Sequence, residues 1–247
     1  MLLPTGLVIT GASRGIGAAT ARLAARRGYR VCVNYARDAD SAAAVVDEIR
    51  SAGGTAVAVQ ADVGTEVDIR RLFDRAEALI GPLHGLVNNA GITGPIGSFV
   101  EAETGTLRRV FDVNVIGSLL CAREAIRRFA AAGGGAIVNL SSVAATTGAP
   151  GEYVHYAASK AAIDTFTQGL AREMAEHGIR VNAVAPGSTL TDIHATAGEP
   201  DRPARVRKRI PLQRLAEPDE IAEAVLWLLS DAASYVTGSV LRVSGGF

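Results

Sequence analysis

Tyr156 and Lys160 are the two residues whose types and spacing best suit a chemical role. The chain has five tyrosines and two lysines, and only Tyr156 has a lysine four residues later. In a helix this spacing places both side chains on one face. A free phenol has a pKa of about 10, too high for a general base at neutral pH, but a neighbouring ammonium favours the phenolate. The pair can therefore exchange a proton with an alcohol or carbonyl oxygen, unless it is simply a partly exposed tyrosine beside a surface lysine.

Two serines could hold that same oxygen. Ser141 and Ser142 follow the apolar run Ala136–Leu140, so they are expected at the carboxyl end of a strand, where open α/β sheets bind their ligands. We take Ser142 as the better candidate and Ser141 as the alternative. A serine in such a place is also a common cap or turn residue, which would give both hydroxyls a purely structural role.

The stretch "ITGASRGIG" at residues 9–17 fits two incompatible kinds of site. Gly11, Ser13 and Gly15 satisfy G-x-S-x-G, the turn that carries a serine hydrolase nucleophile, but that site needs an oxyanion donor from an earlier loop and almost no chain precedes this one. Gly11, Gly15 and Gly17 instead suit a turn from strand to helix that binds a dinucleotide pyrophosphate. We favour this phosphate loop, although a methyltransferase that binds S-adenosylmethionine could use similar glycines. The predicted loop residues are Gly11, Ser13, Arg14, Gly15, Ile16 and Gly17.

The end of the second predicted strand bears on which dinucleotide binds. An NAD site places Asp or Glu there, about 20 residues past the glycines, to bind the ribose 2′-hydroxyl. The sequence "VCVNYARD" has no acid up to Tyr35 and Ala36, and Arg37 follows. Arg37 and Arg14 could pair with a 2′-phosphate in a fork geometry. We therefore expect NADP(H) to be favoured, while Asp38, which could reach back, leaves NAD(H) open.

The elements that must position these residues alternate along the whole chain. The predicted strands are Leu7–Thr10, Arg30–Tyr35, Thr55–Gln60, Gly85–Asn88, Ala136–Leu140, Arg180–Val184 and Ser239–Val243. The predicted helices are Gly15–Arg27, Ser41–Ala52, Glu66–Ile80, Thr106–Ala131, Tyr156–Glu176 and Asp219–Leu229. Repeated β-α-β units with apolar strands predict an α/β fold with a doubly wound, mostly parallel seven-stranded sheet between two helix layers. Residues 1–247 are expected to form one domain, with a substrate lid at about 187–215, where the periodicity is weak.

Charge and hydropathy argue against several classes of function. Lys plus Arg equals Asp plus Glu at 25 each, which gives no basic surface for nucleic acid. No apolar run is long enough to span a membrane, and the start "MLLPTGLVIT" lacks the basic region of a signal peptide, so we expect a cytoplasmic protein. Cys32 and Cys121 are interpreted as buried free thiols. The histidines are too scattered along the chain to suggest a metal site: His84, His155, His177 and His194.

In this order, the motifs resemble those of the classical short-chain dehydrogenases/reductases over essentially the whole chain. They are "TGASRGIG" (Thr10–Gly17), "NNAG" (Asn88–Gly91), the Asn114 of "VNVIG", Ser141–Ser142, "YAASK" (Tyr156–Lys160) and "PG" (Pro186–Gly187). The resemblance implies a Rossmann-type fold, NAD(P)-dependent interconversion of a carbonyl and an alcohol, and commonly a homotetramer. Similar chains include 3-oxoacyl-carrier-protein reductases and glucose 1-dehydrogenase-like enzymes. A dinucleotide-binding redox sensor without turnover is the alternative, although a sensor has no need of a general acid.

The resemblance also implies roles that spacing does not show. Asn114 would hold a water that connects Lys160 to solvent as a proton relay. Asp62 would contact the adenine. The loop that follows Pro186 would close over the nicotinamide, with Thr191 near its amide. The cofactor-binding residues implied beyond the phosphate loop are Tyr35, Arg37, Asp62, Val63, Asn88, Ala90, Gly91, Tyr156, Lys160, Pro186, Gly187, Thr189 and Thr191.

The substrate is the least determined part of the site. The chain is one residue longer between Ser142 and Tyr156 than many family members, which makes the serine assignment less secure and reshapes a pocket wall. The predicted walls are Thr93–Gly97, Val143–Val154 and Ser188–Arg214, with Tyr153 and His155 as lining residues. The basic residues of the last segment fit either an anionic or carrier-protein substrate or a solvated helix face: Arg202, Arg205, Arg207, Lys208 and Arg209.

Overall fold

The computed structural model describes residues 5–191, 198–199 and 202–247. Its strands are β1 (Gly6–Ile9), β2 (Arg30–Tyr35), β3 (Thr55–Gln60), β4 (Leu83–Asn88), β5 (Gly135–Leu140), β6 (Ile179–Pro186) and β7 (Val240–Val243). They form one seven-stranded sheet in the order β3-β2-β1-β4-β5-β6-β7, with every pairing parallel. The direction of strand addition reverses between β1 and β4, which opens a crevice at their carboxyl ends.

The helices cover both faces of this sheet. They are α1 (Gly15–Arg26), α2 (Ala39–Ser51), α3 (Glu66–Ile80), α4 (Thr104–Phe111), α5 (Ser118–Ala132), α6 (Ala144–Thr147), α7 (Val154–Met174), α8 (Arg202–Arg207) and α9 (Pro218–Leu229). Alternate residues of β1 enter opposite cores, because successive strand side chains point to opposite faces. Leu7 packs with the layer of α1, α2 and α9, whereas Val8 packs with the layer of α3, α5 and α7. The three-layer α/β fold expected from the sequence is confirmed.

The single helix expected at 106–131 is wrong in detail. Helix α4 ends at Phe111, a π-helical segment covers Asp112–Gly117, and α5 begins at Ser118. A close approach contributes to the wider turn: a Cβ on Gly117 would lie 2.5 Å from the Val63 carbonyl oxygen. Such π segments are frequent at functional sites, and this one carries Asn114.

The sequence predicts neither a membrane-spanning helix nor a metal site. Within the described part of the chain, no helix is long and apolar enough to cross a membrane, and no three potential metal ligands cluster together. His194 lies outside the described residues. Cys32 and Cys121 are free and buried, as expected. Burial raises the pKa of Cys32 to about 12, and it also raises the pKa of Cys121, so neither thiol is a ready nucleophile.

Candidate active site

Three glycines shape the loop between β1 and α1. Gly11 and Gly15 have φ angles of +61° and +55°, in the left-handed region that glycine adopts readily. Gly17 has no room for a side chain, because a Cβ there would lie 2.6 Å from the Gly11 carbonyl oxygen. Helix α1 begins at Gly15 and has no acid in its first turn. Its free N–H groups and its positive end therefore suit a pyrophosphate.

Two asparagines hold the loop from neighbouring strands. At the end of β2, Asn34 accepts the Gly11 N–H through Oδ1 at 3.1 Å, and its Nδ2 donates to the Ala61 carbonyl at 3.1 Å. Just past β4, Asn89 Nδ2 donates to the carbonyls of Thr10 at 2.8 Å and Gly11 at 2.9 Å. The loop is thus fixed by protein contacts alone, which preorganises it for a phosphate ligand.

The Asp38 carboxylate forms its hydrogen bonds with the first turn of α2. Its carboxylate accepts the Ser41 N–H at 3.0 Å and the Ser41 hydroxyl at 2.8 Å, as an N-cap residue does. These two hydrogen bonds, followed by the charge of Arg14, lower the pKa of Asp38. Arg14 and Arg37 are both exposed. The acid that could have reached back to a ribose 2′-hydroxyl therefore caps a helix.

Asp62, past the end of β3, forms an ion pair with α4. Its Oδ1 accepts the Gly64 N–H at 2.9 Å, and its Oδ2 lies 2.6 Å from Arg109 Nη2. Burial alone would raise the pKa of Asp62, but these hydrogen bonds and the charges of Arg109 and Arg37 lower it overall. Because the charge of Arg37 contributes to the lowered pKa of Asp62, the end of β2 is close enough to the expected adenine-binding residue to interact with it electrostatically.

Helix α7 begins at Val154, so Tyr156 lies in its first turn and Lys160 one turn later. Tyr156 is 9% exposed and Lys160 is 4% exposed. Lys160 Nζ lies 5.6 Å from the centre of the Tyr156 ring, and it donates a hydrogen bond to the Leu140 carbonyl at 2.6 Å. Burial lowers the pKa of Lys160 to about 8, and the charge of Asp164 opposes that decrease. The expected pair is thus brought together.

The two serines past β5 point in different directions. Ser141 is buried, and its hydroxyl lies 3.4 Å from the Lys160 carbonyl oxygen. Ser142 is half-buried, and its Oγ accepts the Ala144 N–H at 3.1 Å. A serine hydroxyl that accepts one hydrogen bond still has its own O–H to donate. Ser142 can therefore hold a substrate oxygen, whereas Ser141 faces the backbone of α7.

Asn114 joins the loop after β4 to helix α7. Its Oδ1 accepts the Ile92 N–H at 2.8 Å, and its Nδ2 donates to the Ile92 carbonyl at 2.9 Å and to Ser159 Oγ at 3.0 Å. Both amide hydrogens are thus used within the protein. A Cβ on Gly91 would lie 3.4 Å from both Asn114 Oδ1 and Lys160 Nζ, so these two groups face the same small space.

The segment after β6 packs over the phosphate loop. The Gly187 N–H donates to the Val243 carbonyl at 2.9 Å, and Thr189 Oγ1 donates to the Gly187 carbonyl at 3.2 Å. A Cβ on Gly15 would lie 3.2 Å from Thr191 Cγ2. The two ends of the expected cofactor cleft therefore meet at Gly15 and Thr191.

Comparisons with known proteins agree with this arrangement. A family model described as Enoyl-(Acyl carrier protein) reductase matches residues 11–247. The chain is 49% identical to the uncharacterized oxidoreductase YgfF of Escherichia coli, over 97% of this chain and 98% of the relative. It is 45% identical to the cis-4-hydroxycyclohexanecarboxylate dehydrogenase of Sinomonas cyclohexanicum, over 97% of this chain and 95% of the relative. A short-chain dehydrogenase from Burkholderia cenocepacia, solved in complex with NADP, superimposes with a TM-score of 0.91 at 35% identity, covering 99% of this chain and 98% of that one.

The chain belongs to the short-chain dehydrogenase/reductase family. Its relatives are named as oxidoreductases and dehydrogenases, so this short-chain dehydrogenase/reductase is an enzyme that uses a nicotinamide dinucleotide. The hydrolase and methyltransferase interpretations of the glycine loop are thereby set aside. The glycine loop, with no room for a Cβ at Gly17, fits the dinucleotide that the family uses.

The remaining expected cofactor residues lie along the same edge of the sheet. Asn88 is buried, and its Nδ2 donates to Asn139 Oδ1 at 3.0 Å and to the Ser118 carbonyl at 3.1 Å. Its side chain therefore links β4 to β5 and to α5, whereas the side chain of the adjacent Asn89 contacts the phosphate loop. The other expected residues are placed as follows: Ser13 and Ile16 in the loop, Tyr35 at the end of β2, Val63 beside Gly117, Ala90 beside Gly11, and Pro186 at the end of β6.

The pocket wall between Ser142 and Tyr156 contains helix α6 and a tight turn. Ala149 has a φ of +44°, an uncommon conformation for a residue with a side chain. Tyr153 packs edge-on against Tyr156, with ring centres 5.2 Å apart. The ring of His155 is buried, and its Nε2 lies 2.8 Å from the Thr93 carbonyl oxygen. Tyr153 thus lies beside Tyr156 as expected, while the buried ring of His155 supports the wall through its contact with Thr93.

Two residues of the basic segment, Arg205 and Arg207, are engaged in other contacts. Arg205 lies 3.0 Å from Glu152 Oε1 and also pairs with Glu199. Arg207 donates to the Gln213 carbonyl at 2.7 Å. These contacts favour the solvated, self-neutralised face over an anion site. The side chain of Arg202 lies outside the described residues.

Sequence reasoning missed four site residues. Asn34 and Asn89 hold the phosphate loop, Arg109 pairs with Asp62, and the charge of Asp164 acts on the pKa of Lys160. A signal existed only for Asp164, which follows Lys160 by four residues and so shares its helix face. The other three depend on which strand ends become neighbours, which spacing does not reveal.

Proposed function

We propose that this enzyme is an NADP(H)-preferring oxidoreductase that interconverts a carbonyl compound and a secondary alcohol. Tyr156 is its general acid and base, Lys160 favours the phenolate and binds the ribose, and Ser142 holds the substrate oxygen. The observation that carries the proposal is the contact of Lys160 with the Tyr156 ring, with Lys160 hydrogen-bonded to Leu140 at the carboxyl end of β5, two residues before Ser142.

Ser142, Tyr156 and Lys160 have different roles in the proposed reaction, according to their positions. In reduction, the Ser142 O–H donates to the carbonyl oxygen and orients it, while Tyr156 gives that oxygen a proton as it becomes an alcohol. The bound nicotinamide supplies or accepts the hydride. Lys160, buried and positively charged, makes the phenolate of Tyr156 less costly. In oxidation, Tyr156 takes the proton from the alcohol.

The preference for NADP(H) is supported by the end of β2. Asp38 is occupied by Ser41, and Arg14 and Arg37 remain exposed where a 2′-phosphate would lie. Arginine binds phosphate with a rigid fork of donors. A solved relative is described as a complex with NADP, which agrees with this preference.

The substrate is proposed to be a small carbonyl compound whose reacting end meets an apolar wall. Ala144, Ala149 and Tyr153 pack around Tyr156, and the nearby Arg205 is neutralised by Glu152 and Glu199. A relative is named for a hydroxylated cyclohexane carboxylate, a compact alicyclic compound of this kind. Such a wall favours alicyclic or short aliphatic groups over highly charged ones.

Calorimetry with NADPH and NADH, followed by turnover with a probe panel, tests the proposal. We expect NADPH to bind more than tenfold more tightly than NADH, because each arginine adds a charge-assisted contact to the 2′-phosphate. The panel is 4-oxocyclohexanecarboxylate and a 3-oxoacyl thioester for reduction, and glucose for oxidation. Tighter NADH binding would contradict the cofactor preference, and binding without turnover on any probe would favour the redox-sensor alternative.

The choice between the two serines has its own test. We expect Ser142→Ala to lower kcat by about 100-fold, because it removes a donor from the oxygen that changes charge. Ser141→Ala should instead lower the free energy of unfolding by about 1 kcal/mol, the usual worth of a buried hydrogen bond, with a smaller effect on kcat. Steady-state kinetics and urea unfolding of both variants separate these outcomes. A larger loss of kcat in Ser141→Ala would reverse the assignment.

A further inference from the structure

Asp62 lies beside the strand end that carries Arg37. Strands β2 and β3 pair in register up to their last residues, Tyr35 and Gln60, and Arg37 and Asp62 each follow two residues later. The two segments stay adjacent past the strand ends, because the Ala61 N–H donates to the Tyr35 carbonyl at 2.9 Å. A carboxylate in this position competes with a phosphate for the nearby guanidinium unless its charge is balanced.

Arg109 of α4 is the counter-charge of this carboxylate. Asp62 Oδ2 lies 2.6 Å from Arg109 Nη2, and Asp62 Oδ1 accepts the Gly64 N–H at 2.9 Å. Gly64 leaves room for the guanidinium, since a Cβ at that position would collide with Arg109 Nη1. Burial raises the pKa of Asp62, and the charges of Arg109 and Arg37 are among the influences that lower it. Both carboxylate oxygens of Asp62 therefore have a donor.

Two other acids in this region are directed toward other elements. Asp38 accepts hydrogen bonds from the first turn of α2. On α3, Asp68 Oδ1 lies 2.9 Å from Arg71 Nη2, and Asp68 Oδ2 accepts the Asp62 N–H at 3.0 Å. The Asp62 side chain is thus held from α4 while its main chain is held from α3, which fixes the carboxylate in its ion pair.

We propose that Arg109 is a positioning residue that determines cofactor specificity, because it neutralises Asp62 and so keeps Arg37 available for the 2′-phosphate of NADP(H). The proposal rests on the proposed function, in which Arg37 contacts that phosphate. NADPH and NADH differ only in this group, which carries roughly two negative charges. An unbalanced Asp62 would therefore weaken the binding of NADPH and leave the binding of NADH nearly unchanged. Arg109 acts through Asp62 and does not itself bind the phosphate.

Calorimetry with NADPH and NADH, in the absence of substrate, tests this role. Arg109→Met removes the charge and keeps a long side chain. The side chains of Arg109 and Asp62 are 40% and 36% exposed, so their charges are partly screened by water and salt. We expect the dissociation constant of NADPH, divided by that of NADH, to rise by about fivefold.

The matched control is Arg108→Met. Arg108 is the preceding residue of α4 and is exposed, so the variant removes the same charge from the same helix and should leave the ratio of dissociation constants at its native value. A native ratio in Arg109→Met would overturn the proposal. If Arg109→Met does not fold, Arg109→Gln takes its place in every measurement, with the same criterion.

A double variant shows whether Arg109 acts through Asp62. In Asp62→Asn/Arg109→Met both charges are removed, while the asparagine oxygen can still accept the Gly64 N–H. The ratio of dissociation constants should then return to within about twofold of its native value, because the two substitutions compensate each other. A ratio that stays raised in the double variant would mean that Arg109 contacts the phosphate directly, which would also overturn the proposal.

The ratio also separates this role from a structural one and from the proposed function. Disturbed packing of α4, or loss of a contact between Asp62 and the adenine, would weaken the binding of both cofactors alike and leave the ratio unchanged. The proposed cofactor preference is judged by the native ratio and by the variant Arg14→Ala/Arg37→Ala. If that variant changes the ratio and Arg109→Met does not, the role of Arg109 is wrong and the proposed preference stands.

Discussion

Tyr156→Phe is expected to lower kcat by about a thousandfold while leaving the dissociation constant of NADPH within about threefold of its native value. In the proposed function, the phenol is the group that exchanges a proton with the substrate oxygen. The ring itself is nearly buried and packs edge-on against Tyr153, and phenylalanine preserves that packing. The variant should therefore fold normally. Steady-state kinetics with a ketone probe and calorimetry with NADPH measure the two quantities.

The matched control for this variant is Tyr235→Phe. Tyr235 is fully exposed, so removal of its hydroxyl should change neither kcat nor NADPH affinity. A native value of kcat in Tyr156→Phe would remove Tyr156 from the proton-transfer step. Equal losses in NADPH affinity and kcat would instead mean that the hydroxyl serves cofactor binding.

Removal of both Arg14 and Arg37 is expected to abolish the preference for NADP(H). In the proposed function, each guanidinium makes a charge-assisted hydrogen bond to the 2′-phosphate, worth about 1.5–3 kcal/mol. The double variant Arg14→Ala/Arg37→Ala should therefore raise the dissociation constant of NADPH by about 100-fold or more, and that of NADH by less than about threefold. Calorimetry with both cofactors measures the ratio.

Two features of the chain help to separate an effect on cofactor binding from an effect on folding or net charge. Arg14 occupies the N-cap position of α1 but makes no side-chain cap hydrogen bond, so alanine there removes no helix cap. Arg26→Ala, at the opposite, exposed end of α1, removes one positive charge, against two in the double variant, and should leave both affinities unaltered. An unchanged NADPH:NADH ratio in the double variant would show that these arginines do not contact the 2′-phosphate.

Much of the fold could be predicted because its physical cause is local. The seven strands appear as apolar runs, since a parallel sheet covered on both faces buries both sides of every strand, and all seven predicted runs overlap the observed strands. The helix bounds at 106–131 are less accurate, because apolar periodicity does not mark where an α-helix widens into a π-helical segment. At Gly117 this segment packs closely against Val63, a residue of a separate element.

The candidate site shows the same distinction between features with a local cause and features that depend on contacts between separate elements. The Tyr156–Lys160 pair is encoded by helical spacing, and the phosphate loop by glycines between a strand and a helix. The contacts of Asn88 and Asn89 could not be foreseen, although the two residues are adjacent, because the pleat sends one side chain into the interior and the chain past the strand sends the other to the phosphate loop.

The sequence by itself determined the α/β fold class and the residue pair expected to transfer the proton, because apolar periodicity and short-range spacing act within single elements, and its motifs indicated the family by resemblance. Only the tertiary structure decided that Ser141 faces the backbone of α7 while Ser142 does not, that Asn34 and Asn89 hold the phosphate loop, and that Arg109 pairs with Asp62. The physical reason is that these contacts require the ends of separate strands and helices to meet. Which carboxylate, hydroxyl or ammonium then becomes a neighbour is a property of the packed sheet.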